Sequence, residues 1–322
     1  MIDYQVKVSI IIPNFNHSDF LEERIKSVFN QSFRDFEVII LDDFSKDESV
    51  SLIEQYKNHP KVSHCIYNNK NSGSTFIQWK KGIGLAKGDY IWIAESDDYA
   101  DITFLEELVS LMDFNPAAGL GYCQSIIVNE KSEEMGPNFH WTDDLDLKRW
   151  RSYFVSEGIE EIKKYLAVKN TIPNASGVLI RKSAINVDKI RTDLKKMGDW
   201  YLWLDILKNN KLVYSPKELN FFRTTVKSTR ILKQREDFIC FYEEKIIIIN
   251  YIIEIIKDGT LALKKEKRSL VDGYLNICSF KRELFPKFYL ELVKNDFFYV
   301  NYMILNKLNF SRLKKIIVRM AS

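Results

Sequence analysis

The chain has 322 residues, of which 46% are apolar and 28% charged, a composition that excludes a disordered or collagen-like chain. That length allows one large domain, or one domain with a smaller appendage. The 47 basic and 44 acidic residues leave a net charge of +3, too balanced for a dedicated nucleic-acid binder.

In chain order, Val8–Ile12 is a continuous apolar run ended by Pro13 and Asn14, as expected of a strand covered on both faces. A helix is expected over Asp19–Asn30, with Leu21, Ile25, Val28 and Phe29 on one face. Glu37–Leu41 is a second strand ending in Asp42-Asp43, and Ser45–Tyr56 a helix capped by Ser45 or Asp47. Val62–Tyr67 is a third strand, Thr75–Ala86 a helix with Gly88 as its C-terminal stop, and Tyr90–Ala94 a fourth strand. Serial strand–helix units predict an open α/β sheet with right-handed crossovers, which binds ligands beyond the carboxyl ends of its strands. Three such ends carry polar clusters: Asn14-Phe15-Asn16, Asp42-Asp43 and Glu95-Ser96-Asp97-Asp98.

Further helices are expected over Thr103–Met112, Ile159–Val168 and Gly198–Leu207, and strands over Gly121–Asn129 and the apolar Val178–Ile180. Lys131–Trp150 reads as a long loop, and Phe221–Arg230 as a basic, Thr-rich segment. Phe241–Asp258 is an Ile-rich helix stopped at Gly259, and the remainder is helical and basic. The expected domains are 1–232, with a donor half of about 1–100 and an acceptor half of about 101–232, and a helical extension 233–322. The four scattered cysteines (65, 123, 240 and 278) lack metal spacing and read as reduced thiols. The start MIDYQVKVSI does not read as a signal peptide, and no uncharged stretch reaches the ~18 residues of a membrane span. The expected location is cytoplasmic. The last helix, Phe310–Ser322, carries Arg312, Lys314, Lys315 and Arg319 without an acid, which fits either the inner face of an anionic membrane or packing on the domain.

Carboxylates leaving a sheet edge together suit a hard cation, Mg²⁺ or Mn²⁺, which can in turn hold a diphosphate; the same tetrapeptide also reads as a solvated acidic turn. The blocks SIIIPNFN (Ser9–Asn16), VIILDDFSKDES (Val38–Ser49) and NSGSTFIQWKKGIGLAKGDYIWIAESDD (Asn71–Asp98) resemble, in order and spacing, family 2 glycosyltransferases of GT-A fold. The resemblance covers roughly residues 6–230 and is to the bacterial members that build surface polysaccharide. It implies a Rossmann-like, mostly parallel sheet flanked by helices, and an inverting, metal-dependent transfer from a nucleotide-sugar, with a UDP-sugar favoured, to a glycan or lipid-linked acceptor. By the resemblance Phe15 stacks on the base and Asp42 accepts from its N3–H, with Asp43 beside it. Pro13, Asn16, Asn71, Gly73, Lys80, Glu95, Lys227 and Arg230 complete the donor side. Asp97 and the adjacent Asp98 bind the metal, and Asp199 is the general base. Asn174, Ser176, Trp141 and Trp200 face the acceptor, and Trp203 reads as core. Three departures stand out: Phe44 replaces the Gly of the usual DDGS, Gly198 the Glu before the base, and Thr225 a His. A nucleotidyltransferase and a non-catalytic nucleotide-sugar-binding protein are the rival readings; the first lacks a Gly-rich basic loop after the first strand. Homo-oligomer formation stays open.

Overall fold

The computed structural model describes residues 6–225, 232, 234–257, 261–277, 288–294 and 296–307. It divides into two compact units, Met1–Ser228 and Thr229–Ser322, against the expected boundary at 232/233.

The first unit is built on one mixed sheet. β1 (Val8–Asn14), α1 (Ser18–Phe29), β2 (Phe36–Asp42), α2 (Ser49–Tyr56), β3 (Val62–Tyr67), α3 (Thr75–Leu85) and β4 (Tyr90–Ile93) follow the predicted alternation. There follow β5 (Tyr99–Ala100), α4 (Phe104–Phe114), β6 (Ala118–Val128), β7 (Glu134–Pro137), β8 (Phe154–Glu157), α5 (Gly158–Glu161), β9 (Val178–Arg181), α6 (Gly198–Leu207) and β10 (Lys211–Arg223). The strand order is β3-β2-β1-β4-β9-β6-β10-β5, with β7 on β6 and β8 on β10. β3, β2, β1 and β4 are parallel, and β9 runs antiparallel to both β4 and β6. β1 sends its chain to β2 on one side and has β4 on the other, so the crevice where the strand order reverses opens at the carboxyl ends of β1 and β4. Every residue of β1 and β2 is buried, the pattern of strands covered on both faces. The core runs from Ile10, Ile12 and Val38 through Trp92 to Phe104, Leu108 and Met112.

Several elements differ from expectation, among them β5 and β8, which were not expected. α2 starts at Ser49 instead of Ser45, because Ser45 and Asp47 are held in the preceding turn: the Ser45 N–H donates to Asp42, and Asp47 accepts from the N–H groups of Ser18 and Ser49. The Lys131–Trp150 loop contains β7, and the expected Ile159–Val168 helix begins as α5 and passes into a π-turn over Ile162–Leu166. The largest omission is β10, 13 residues long, whose Pro216-Lys217-Glu218 breaks the apolar run at its register shifts. Gly88 is not a left-handed helix stop either. Its Cα packs on β1, where a Cβ would lie 2.6 Å from the Ser9 nitrogen. There the Gly88 N–H donates to Ser9 Oγ (2.8 Å), and Ser9 Oγ and the Lys87 N–H donate to Glu37 Oε1 (2.6 and 2.7 Å).

The second unit is helical: α7 (Arg235–Ile256), α8 (Leu261–Ile277), α9 (Tyr289–Val293) and α10 (Phe297–Lys307). Gln234 and Asp237 close a capping box at the start of α7, and Ile246–Ile249, Ile252 and Ile253 are buried. Gly259 and Phe310–Ser322 lie outside the described residues. No described helix is long and apolar enough to cross a membrane.

Gly88→Ala forces a methyl into β1 and lowers stability by roughly 1–3 kcal/mol. Urea denaturation followed by tryptophan fluorescence reads this as a lower midpoint at unchanged slope.

Candidate active site

The sequence places polar residues at the ends of β1, β2 and β4, and the parallel register brings them to one edge, with Asn14 opposite Asp42 and Ile11 opposite Ile93. Asn14 Nδ2 donates to Asp42 Oδ1 (2.9 Å) and to Ser45 Oγ (3.1 Å), and the Ser45 N–H donates to Asp42 Oδ2 (2.9 Å). Asp42 is 1% exposed with both oxygens engaged. Its carboxylate therefore ties β1 to the loop after β2, which is not the open base-facing position that the resemblance gives it. Asp43 is likewise buried, accepting from Asn68, Gln78 and the backbone and hydroxyl of Ser72. Asn71 reaches the same turn, donating to the Asp43 carbonyl and accepting from the N–H of Gly73, whose φ is 81°.

Phe44, where the resembled family carries Gly, sits at φ 69° with the Lys46 ammonium 3.2 Å from its ring centroid. A bulky residue in the left-handed region costs about 1–2 kcal/mol. The turn therefore keeps a glycine-like backbone in spite of its side chain. Pro13 is buried within β1. Phe15 is 43% exposed, and Asn16 at φ 54° locks onto the same turn through Ser45 and Lys46. Lys80 is half-buried on α3. Lys227 and Arg230 lie outside the described residues.

The acidic turn after β4 divides its carboxylates among different tasks. Asp98 is buried: its Oδ2 accepts from Asn174 Nδ2 (2.8 Å) and Ser176 Oγ (2.7 Å), and its Oδ1 from the Arg223 N–H (2.8 Å). Burial, then the neighbouring Asp97, pushes its carboxyl up. Glu95 Oε1 accepts from Trp79 Nε1 (2.7 Å), and its N–H donates to Ser176 Oγ (3.1 Å). Burial and the charge of Asp97 raise the Glu95 carboxyl to about 8. The Asp97 carboxylate accepts no hydrogen bond from the described residues, while its carbonyl accepts from Arg223 Nε (2.7 Å). Asp97 is therefore the carboxylate of this turn whose oxygens stay open. No cluster of three or more His, Cys, Asp or Glu with metal-ligand placement occurs among the described residues. One open carboxylate still fits Mg²⁺ or Mn²⁺, which bind through one or two protein carboxylates plus substrate phosphates.

Of the expected acceptor residues, Asn174 and Ser176 are both buried and bonded to Asp98. Trp200 is 5% exposed and belongs to the packed face of α6, as does Trp203, whose Nε1 donates to the Ile172 carbonyl. Trp141 keeps an open face at 39% exposure, and its Nε1 donates to the Asn170 carbonyl (2.8 Å). Asn170 Nδ2 donates to Asp199 Oδ2 (3.1 Å) in the first turn of α6, whose bounds are those expected.

The structure adds residues that the sequence reading passed over. Arg24 of α1 is fully buried; its Nε donates to the Glu95 carbonyl (2.8 Å), and both terminal nitrogens lack a partner. Burial lowers its guanidinium to about 10 against the opposing pull of Asp98, Asp97 and Glu95. The signal was present, since Arg24 falls on the helix face of Leu21, Ile25 and Val28. Arg223, also buried, holds the Asn129 carbonyl, Glu23 and Ser132, and His17 Nδ1 lies 2.8 Å from Ser96 Oγ.

A model of the family described as Glycosyl transferase family 2 matches residues 9–184, more than half of the chain. A poly(ribitol-phosphate) β-N-acetylglucosaminyltransferase of Staphylococcus aureus, TarP, is 36% identical over 32% of each chain. A cholesterol galactosyltransferase of Borreliella burgdorferi is 27% identical over 75% of each. The solved structure of residues 1–349 of S. aureus TarS superposes with a TM-score of 0.60 at 15% identity, over 98% of this chain and 92% of that one.

The raised Glu95 carboxyl holds its proton in the folded state up to about pH 8, against about 4.5 when unfolded. The folded state then binds more protons, so stability falls as pH rises from about 4.5 through 8. Glu95→Gln flattens that fall in urea titrations across the window.

Proposed function

The chain belongs to glycosyl transferase family 2, and from that premise we propose that it is an inverting, metal-dependent transferase. It moves a sugar from a UDP-sugar to a hydroxyl of a glycan or lipid-linked acceptor in cell-surface polysaccharide synthesis. The observation that carries this reading is the Asp97 carboxylate, which accepts no hydrogen bond from the described residues; Asp199, in the first turn of α6, is held by Asn170.

On the donor side, Phe15 offers its exposed ring to the base, and Asp42 and Asp43 shape the loop beneath it. Asn16, Asn71 and Gly73 form the rim, and Lys80 lies close by in sequence to meet phosphate. Uridine is supported by the solved TarS complexes with UDP and UDP-GlcNAc. Asp97 would hold a divalent ion, which when bound would neutralise charge building on the leaving diphosphate. Asp199, held by Asn170 at a helix N-terminus that favours its anion, takes the proton of the attacking hydroxyl. The sugar is displaced in one step from the opposite face, so no protein nucleophile is required. Surface-polysaccharide acceptors place the reaction at the cytoplasmic face of a membrane, with the basic C-terminal segment as the contact.

Calorimetry with UDP, with and without Mn²⁺, tests the donor side. Asp97→Asn weakens Mn²⁺-dependent UDP binding by at least about tenfold. Binding that is indifferent to Mn²⁺ and to this substitution removes the metal assignment. Asp199→Asn leaves UDP affinity intact and lowers kcat by about 10²–10⁴-fold in a donor-turnover assay; unchanged turnover removes the base.

A further inference from the structure

Beside Trp141 the sheet end forms a recess of about 20 Å³, room for roughly one water-sized group. None of its thirteen lining residues is charged. Its rear wall is aromatic and already satisfied: Trp150 Nε1 donates to Tyr122 Oη (2.7 Å), and Tyr214 Oη donates to the Trp150 carbonyl (2.9 Å). Its polar groups are less committed. Thr171 is 1% exposed, and its hydroxyl has no partner. Gln124 accepts from the Ser125 N–H through Oε1, and its amide nitrogen is left over. The Asn138 amide has no hydrogen bond from the described residues. Lys169 lies over the Trp141 ring at 5.1 Å and is paired with Asp144 at 2.6 Å.

A buried hydroxyl without a partner costs free energy that a ligand hydroxyl can recover. Neutral donors and acceptors around a space of one hydroxyl, with an open indole at the mouth, suit the exocyclic arm of a pyranose whose ring lies on Trp141. A phosphate would find no cation among the lining residues and would be desolvated at a loss. The mouth is linked to the proposed base, because Trp141 donates to Asn170 and Asn170 to Asp199. The inner end is linked to the acidic turn, because Asn174 lines the recess and donates to Asp98.

We propose that this recess selects the acceptor as an uncharged hexopyranose, gripping its hydroxymethyl group between Thr171, Asn138 and Gln124 with the ring against Trp141. The proposal rests on the transferase reading for its role, and its test reads glycoside binding directly.

Saturation-transfer NMR on the full chain, with UDP and Mn²⁺ present, compares methyl β-glucoside and methyl β-galactoside with methyl β-xyloside, which lacks the arm, and with glucose 6-phosphate. At least one hexoside binds, with xyloside and the 6-phosphate about tenfold weaker or worse. Trp141→Phe and Thr171→Val each weaken the hexoside by roughly fivefold and leave UDP affinity unchanged. Xyloside binding as well as the hexosides, preference for the 6-phosphate, or hexoside binding indifferent to both substitutions overturns the proposal. Retained UDP binding with no glycoside bound also overturns it and leaves the donor reading standing. Hexoside binding without UDP binding keeps the recess and removes the donor reading.

Discussion

The buried carboxylate of Asp98 is the joint on which the active edge depends. It receives the amide of Asn174 and the hydroxyl of Ser176, both from the lead-in to β9, and the backbone N–H of Arg223 at the end of β10. A buried anion with three donors is stable, whereas the same anion with one donor missing is an uncompensated charge. That asymmetry makes the carboxylate a strict organiser. The acidic turn cannot settle until the lead-in to β9 and the end of β10 are in place.

Around that joint the charges are sorted so that one is left for the outside. Arg24 supplies positive potential from below without a full set of partners, and Trp79 and Ser176 hold Glu95. Among the described residues, Asp97 is the carboxylate of the turn that accepts no hydrogen bond at either oxygen. Under the proposed function, a cation bound with a diphosphate would find its attraction concentrated on this one carboxylate. The same economy shows at the neighbouring turn, where Asp42 and Asp43 serve the backbone and leave the exposed ring of Phe15 to face solvent.

The first hundred residues were legible because parallel strands covered on both faces are written as unbroken apolar runs and end in polar punctuation. β1, β2 and β4 fall where such runs predict them; β3, VSHCIY at the sheet edge and only partly buried, is not such a run. β10 was not legible, because its Pro216-Lys217-Glu218 sits at a bulge that tolerates polar residues, and β5 and β8 are too short to show a period. At the site, residue types indicated which carboxylates belonged together but not which were open. Asp97 and Asp98 are neighbours with opposite fates, and only packing separates them. Asn174 and Ser176 read as ligand groups because a buried partner of Asp98 and a sugar contact use the same side chains. Arg24 was written on the apolar face of α1, a misplaced charge whose meaning depended on the acids it lies beneath.

The place of Arg223 has a consequence for how the protein comes to life on the ribosome. Its backbone closes on Asp98 across 125 residues, and its guanidinium reaches Glu23 across 200. Contacts this distant form late, after the local strand–helix units have gathered. A nascent chain that has emerged only as far as β9 already holds the nucleotide-facing loops but lacks the clasp that sets the acidic turn. The acidic turn is therefore completed by nearly the last residues of its unit to be made.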